Sequence, residues 1–236
     1  MKIGIAHIVH SASLGSDMQR IADVTDDAYR KDVDLLCFGE WFIGFKSIPE
    51  IPNQFTSQLG YTAKKNALTI VTGSMFISSS FKINRHTSIV INDRGELAGS
   101  QDKIRLYKEE AGWVKPAQSL EPIRTKYGDL CILCGLTALD VNAHKQAKDL
   151  GADMIVLQYS FKSFDERDEV RDVLLPLSEM TVPLMIVAPF VGILNKTSYV
   201  APGFIIYNGK LIAQGERKDN LIIGEVDVKL RFDSYY

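Results

Sequence analysis

The chain has 236 residues, a formal net charge of −2 and 46% hydrophobic residues. That length can bury one sizeable core, so residues 1–236 are expected to form a single domain. The balanced charge offers no polyelectrolyte surface for nucleic acid or an anionic membrane, and no apolar run is long enough to span a bilayer.

Met1 to Val9 reads as a strand, without the longer apolar core and cleavage site of a signal peptide. The strand is centred on Ile3 to Val9. Ser16 or Asp17 is expected to cap a helix to about Lys31, with Met18, Ile21, Ala22, Thr25 and Ala28 on one face. Leu35 to Phe38, a short continuous apolar run, fits a strand covered on both faces. Glu40 follows it after Gly39. A helix is expected over Gln54 to Asn66 and a strand over Leu68 to Phe76. Thr87 to Asn92 and Glu96 to Ser100 flank an Asn-Asp-Arg-Gly hairpin signal. Lys103 to Pro116 is polar and irregular. Pro122 to Thr125 and Leu130 to Cys134 flank a turn at Lys126 to Asp129, and a helix is expected from Gly135 to Gly151. Met154 to Gln158 and Leu184 to Ala188 are strands around a helix expected at Asp168 to Met180. Ser198 to Ile206 and Lys210 to Gln214 flank a second hairpin turn, and Leu221 to Val228 is the last strand. Helices alternating with buried strands, with hairpins interspersed, indicate an α/β fold with a mixed sheet layered by helices.

The stretch from Tyr127 to Asp153 carries the most chemistry. A cysteine at the C-terminal end of a strand, ahead of a helix, is where an α/β enzyme places a thiolate nucleophile, because the helix N-terminus lowers the thiol pKa. Cys134 stands there. Strand neighbours face opposite sides of a sheet, so a displacement of one residue turns a sulfur away from a cleft unless a bulge intervenes. Cys131 and Cys134 are expected on opposite faces. The cysteines are odd in number and lie in apolar runs, which suggests buried reduced thiols in a cytoplasmic protein. Neither the cysteines nor His7, His10, His86 and His144 have metal-ligand spacing, so no metal is expected. There is no P-loop and no dinucleotide fingerprint.

In their order and spacing these motifs resemble the carbon–nitrogen hydrolase (nitrilase) superfamily. Asp34 to Trp41 resembles the family strand that ends in the catalytic glutamate, which implies that role for Glu40, with Gly39 in place of the usual proline. Gln101 to Leu106 resembles the segment with the catalytic lysine, which implies Lys103. Glu109-Glu110 with Trp113 and Pro116 resembles the segment of a second, supporting glutamate, which implies Glu110. Ser198 to Gly215 resembles the closing hairpin. The resemblance implies a four-layer α-β-β-α sandwich, a Glu-Lys-Cys triad that needs no cofactor, a small amide substrate, and a homodimer. Counted from Gly128 or from Gly151, the nucleophile position falls at Gly135, with Cys134 one residue short and Thr137 where the family has aspartate.

In such a triad a thiolate attacks an amide carbon, a carboxylate takes the thiol proton, and an ammonium group stabilises the oxyanion. Three readings stand side by side. The first is a hydrolase-fold protein with doubtful activity, Gly135 occupying the nucleophile position. The second is a working thiol amidase using Cys134. The third is a catalytically inactive binding or interaction module, a pseudoenzyme. Glu40 and Lys103 also fit a surviving buried ion pair, Glu110 a helix-surface carboxylate, and Cys134 a small buried hydrophobe. Trp41, Phe42 and Trp113 fit pocket walls or plain core, and Arg167 or Arg171 a clamp for a substrate carboxylate.

Overall fold

The structure, a computed structural model, describes residues 1–11, 13–78, 84–217 and 219–227. In chain order it begins with β1 (Lys2–Ala6), α1 (Leu14–Arg30), β2 (Leu35–Phe38), β3 (Ser47–Pro49), α2 (Gln54–Lys65), β4 (Thr69–Val71), β5 (Met75–Ser78), β6 (Asn84–Ile91) and β7 (Leu97–Asp102). There follow β8 (Ile123–Thr125), β9 (Gly128–Cys134), a 3-10 turn at Gly135–Leu139, α3 (Val141–Asp149), β10 (Met154–Gln158) and α4 (Phe164–Met180). The described chain closes with β11 (Leu184–Val187), β12 (Gly192–Leu194), β13 (Thr197–Tyr199), β14 (Phe204–Tyr207), β15 (Lys210–Gln214) and β16 (Leu221–Glu225). Val228, the expected end of the last strand, lies outside the described residues.

The strands form two sheets. The first runs β16-β1-β2-β4-β6-β5-β3, with β7 paired to β6, and the second runs β15-β14-β11-β10-β9-β8. Ile3, Ile5, Leu35, Cys37 and Val90 of the first sheet pack against Leu130, Ile132, Val156 and Ile186 of the second. Alternate residues of the same strands, Leu36 and Ile70, meet Ile21, Ala28, Leu59 and Ala63 of α1 and α2. On the far side, Cys131, Leu133, Ile155 and Met185 meet Ala143, Ala147, Leu174 and Leu177 of α3 and α4. The period-2 and period-3.6 patterns therefore stack as helix, sheet, sheet and helix. This is the expected α-β-β-α sandwich.

Several boundaries moved for local reasons. Ser13, not Ser16 or Asp17, caps α1, its side chain accepting from the Ser16 N–H. Asp17 is instead fully buried and paired with Lys46 at 2.8 Å. The run Leu68 to Phe76 is two strands, β4 and β5, both pairing antiparallel with β6. The run Ser198 to Ile206 is likewise divided, because β13 pairs with β12 and β14 with β11. The helix expected from Gly135 opens as a 3-10 turn, and Asp140 then caps α3 by accepting from the Asn142 N–H. α4 begins earlier than expected, at Phe164, where the Ser163 side chain accepts from the Glu166 N–H.

β1, β2 and β4 run parallel, and so do β9, β10 and β11. β6 is antiparallel to β4, and β7 to β6, so β7 runs in the direction of β2. The carboxyl ends of β2, β7 and β9 deliver Glu40, Lys103 and Cys134 to one rim, where α/β sheets place ligands.

Candidate active site

Glu40 is reached through Gly39, at which a Cβ would stand 2.2 Å from the carbonyl carbon and oxygen of Pro189. The two backbones touch there, so no side chain fits. After Glu40 the chain turns sharply, with Trp41 in the left-handed region at φ 55° and Phe42 N–H donating to the Ser74 carbonyl at 2.8 Å. Beneath this turn Gln158, fully buried, crosses from the second sheet to the first. Its amide donates to the Thr72 carbonyl at 2.7 Å and the Phe38 carbonyl at 3.4 Å, and its oxygen accepts from the Ser88 hydroxyl at 2.6 Å.

Lys103 follows β7 directly, its N–H donating to the His86 carbonyl at 2.8 Å. The flanking pattern made it look like part of a polar loop, yet its side chain is fully buried. The ammonium donates to Glu40 Oε1 at 2.8 Å and to Glu110 Oε1 at 3.0 Å. Glu110 is not a surface carboxylate. It is buried, pairs with His86 Nδ1 at 2.7 Å and accepts from the Tyr107 N–H at 2.8 Å. Tyr107 completes the cluster. Its hydroxyl donates to Glu40 Oε2 at 3.2 Å, and Lys103 Nζ lies 3.7 Å from the centre of its ring.

Cys134 and Gly135 both face this cluster. The Cys134 thiol donates to Glu40 Oε1 at 3.7 Å, so the expectation that a one-residue displacement turns the sulfur away is corrected. Gly135 has φ 58°, a left-handed conformation that breaks strand alternation. A Cβ built on Gly135 would stand 2.6 Å from Lys103 Cε, 2.9 Å from Lys103 Nζ and 3.2 Å from Glu40 Oε1. Cys131 points the other way, into the layer against α3 and α4, as alternation requires.

The electrostatics follow from these contacts. Burial alone would lower the Lys103 pKa, but Glu40, Cys134 and Glu110 outweigh it and the pKa is raised. Burial would raise the Glu110 pKa, but His86 and Lys103 outweigh it and hold the carboxyl low. Burial and the Glu40 charge push the Cys134 thiol well above its ordinary range, with Lys103 and the Ser74 hydroxyl pulling only partly the other way. Cys134 at rest is therefore a thiol, not a thiolate.

Glu40 and Lys103 have no solvent-exposed side-chain surface. The cavity beside Glu40, lined by His7, Phe38, Trp41 and Phe190 among others, is about 10 Å³, room for at most one water. Trp41 is a wall, buried and stacked on Tyr107 at 5.8 Å. Phe42 belongs to the core against α1 and α2, and Trp113 lies partly exposed against Phe76. Arg167 and Arg171 are not near this cluster's contacts. Arg167 donates to the Gly215 carbonyl, Arg171 to Gln214, and both pair with Asp168, which ties α4 to β15. No group of three or more possible metal ligands occurs among the described residues.

Sequence reasoning missed His86, Tyr107 and Gln158. His86 carried one signal, a polar residue at the start of an apolar strand, but its partner Glu110 is 24 positions away. Tyr107 and Gln158 carried none.

The sequence profile described as carbon-nitrogen hydrolase matches residues 3–133, more than half of the chain, and ends one residue before Cys134. No curated protein matches the sequence. Among solved structures, Nit3 of Saccharomyces cerevisiae, described as a member of branch 10 of the nitrilase superfamily, superposes with a TM-score of 0.85 at 17% identity over 98% of this chain and 91% of its own. The amidase of Nesterenkonia sp. gives 0.82 at 17% identity over 96% and 93%. A carbon-nitrogen hydrolase of Helicobacter pylori gives 0.80 at 15% identity over 97% and 89%. At these identities the superpositions speak for the fold, and the profile match speaks for descent: the chain belongs to the carbon-nitrogen hydrolase family.

Proposed function

We propose that this chain keeps the charged framework of an amide-hydrolysing site while glycine occupies the nucleophile position, so that it takes a small amide with little or no turnover. The observation that carries this reading is the direction of position 135. A side chain there would emerge between Lys103 and Glu40, with its Cβ 3.2 Å from Glu40 Oε1. A thiol in that seat would add to the amide carbon, Glu40 would take its proton, Lys103 would stabilise the oxyanion, and ammonia would leave as the thioester forms. Glycine supplies no such atom. The small-amide class draws support from the Nesterenkonia amidase, in which the active-site cysteine is described as carrying the acetamide moiety of fluoroacetamide.

The second reading is a thiol amidase using Cys134, favoured by the 3.7 Å contact of its sulfur with Glu40. Its burial and raised pKa weigh against it. The test is incubation with fluoroacetamide, followed by intact-mass measurement and ammonia release. Unmodified wild-type protein, with an adduct formed on Gly135→Cys, is the expected result. An adduct on the wild type that Cys134→Ala abolishes would reverse the order of the two readings. As a third element we take the protein to be a single-domain homodimer of the cytoplasm. Three free, buried cysteines support a reducing compartment, and exposed Val173 and Met180 on α4 support a self-contact, which light scattering would measure.

A further inference from the structure

Tyr107 touches each charged member of the Glu40–Lys103–Glu110 cluster by a different group. Its hydroxyl donates to Glu40, its ring faces the Lys103 ammonium, and its backbone N–H donates to Glu110. It is itself half-buried, whereas Glu40 and Lys103 are wholly enclosed. Its ring is backed by Trp41 at 5.8 Å, and Trp41 in turn meets Tyr199 at 5.6 Å. Tyr107 therefore lies between solvent and the two groups that would recognise an amide.

A primary amide at this site would satisfy the same partners. Its N–H would donate to Glu40 and its carbonyl oxygen would accept from Lys103. Tyr107 supplies one of these bonds through its hydroxyl and shields the ammonium with its ring face, an electrostatically favourable contact for a cation. We propose that Tyr107 is the access-determining residue of this site: an internal occupant that mimics a bound amide and must swing out before any ligand reaches Glu40 and Lys103. The segment that carries it is short. Residues 107–113 are a series of turns, held to the site through the Tyr107 and Glu110 contacts. An outward swing of Tyr107 leaves the Lys103–Glu40 and His86–Glu110 pairs in place, because neither uses the tyrosine side chain.

The amide-binding reading supplies the ligand class, but the cap itself is tested without it. The probe is iodoacetamide on the folded protein, with the rate of Cys134 alkylation read by peptide mass spectrometry and Cys37 and Cys131 as internal controls. Wild-type Cys134 should react only through local opening. Tyr107→Ala should raise its rate about tenfold or more while Cys37 and Cys131 stay unchanged. Tyr107→Phe, which keeps the ring and loses the hydroxyl, should stay near the wild-type rate. Tyr107→Leu, which keeps an apolar contact to Trp41 and is the safer variant for folding, should show an increase of the same kind as alanine. An unchanged Cys134 rate in a folded Tyr107→Ala or Tyr107→Leu protein overturns the proposal, as does a Tyr107→Phe rate equal to that of Tyr107→Ala. Protection of Tyr107→Ala by acetamide is a separate readout. Faster alkylation without protection would uphold the cap and count against the amide as its ligand.

Discussion

Lys103 stands in the space that a side chain on Gly135 would need: its Cε is 2.6 Å from the place of a Cβ there. The lysine reaches Glu40 from that side, and the pair sits closed within the sandwich rim. Glycine at 135 and the lysine conformation are two halves of one arrangement.

This relationship can be measured as a coupling energy. Gly135→Ala forces an L-residue into a left-handed φ of 58° and against Lys103. The backbone part alone should cost about 1–2 kcal/mol in urea unfolding. Because the side-chain contact is with Lys103, the cost should fall in a Lys103→Met background, giving a coupling of about 0.5 kcal/mol or more. Strict additivity would show that the alanine is accommodated without moving the lysine.

Removing the ammonium isolates two carboxylates. Lys103→Met leaves Glu40 and Glu110 buried without their shared cation, and should cost about 3–5 kcal/mol at neutral pH. Adding Glu40→Gln to that variant should recover part of the loss, since one uncompensated charge is then gone. A loss well under about 1 kcal/mol would mean that the carboxylates find water or protons at little cost.

The acid limb of stability should carry the signature of Glu110. Its pKa is lowered in the folded protein, against its burial, by His86 and Lys103. Its stabilising contribution is therefore complete above the ordinary carboxylate range and is lost as pH falls through the lowered folded value. Asp17, buried and paired with Lys46, adds to the same limb. Lys103, whose pKa is raised, contributes below its ordinary range and loses that contribution only as pH rises through the higher folded value. Urea midpoints measured from about pH 7 to about pH 3 should fall less steeply for Glu110→Gln than for wild type. Parallel curves would remove Glu110 from the account.

Gln158→Leu should loosen the floor of the site. It leaves the Thr72 carbonyl and the Ser88 hydroxyl without the amide that joins them across the two sheets. The expected cost is about 1–3 kcal/mol in thermal or urea unfolding. Hydrogen exchange should quicken first around Thr72 to Ser74, where the turn after Glu40 is held. Exchange rising uniformly over the chain would make Gln158 a general core residue, with no special hold on that turn.

Much of the architecture was readable from local pattern. Continuous apolar runs such as Leu35 to Phe38 marked strands covered on both faces, and the spacing of Ile21, Thr25 and Ala28 marked a helix with one buried side. Glu40 and Lys103 stood out because each follows a strand whose pattern is strong. Boundaries were less legible where partners are distant: β4 and β5 separate because β6 receives both, which Leu68 to Phe76 alone does not encode.

The amino-acid order by itself determined the layered sandwich and the rim at which its polar residues gather, because side-chain periodicity dictates which faces are buried. Only the tertiary structure decided how position 134 relates to 135. A single reversal of φ at Gly135 lets two neighbours face the same cluster, and backbone sign is not a property of pattern. The tertiary structure also brought in His86, Tyr107 and Gln158, since a buried charge takes its partners from whatever strands and turns the fold places beside it.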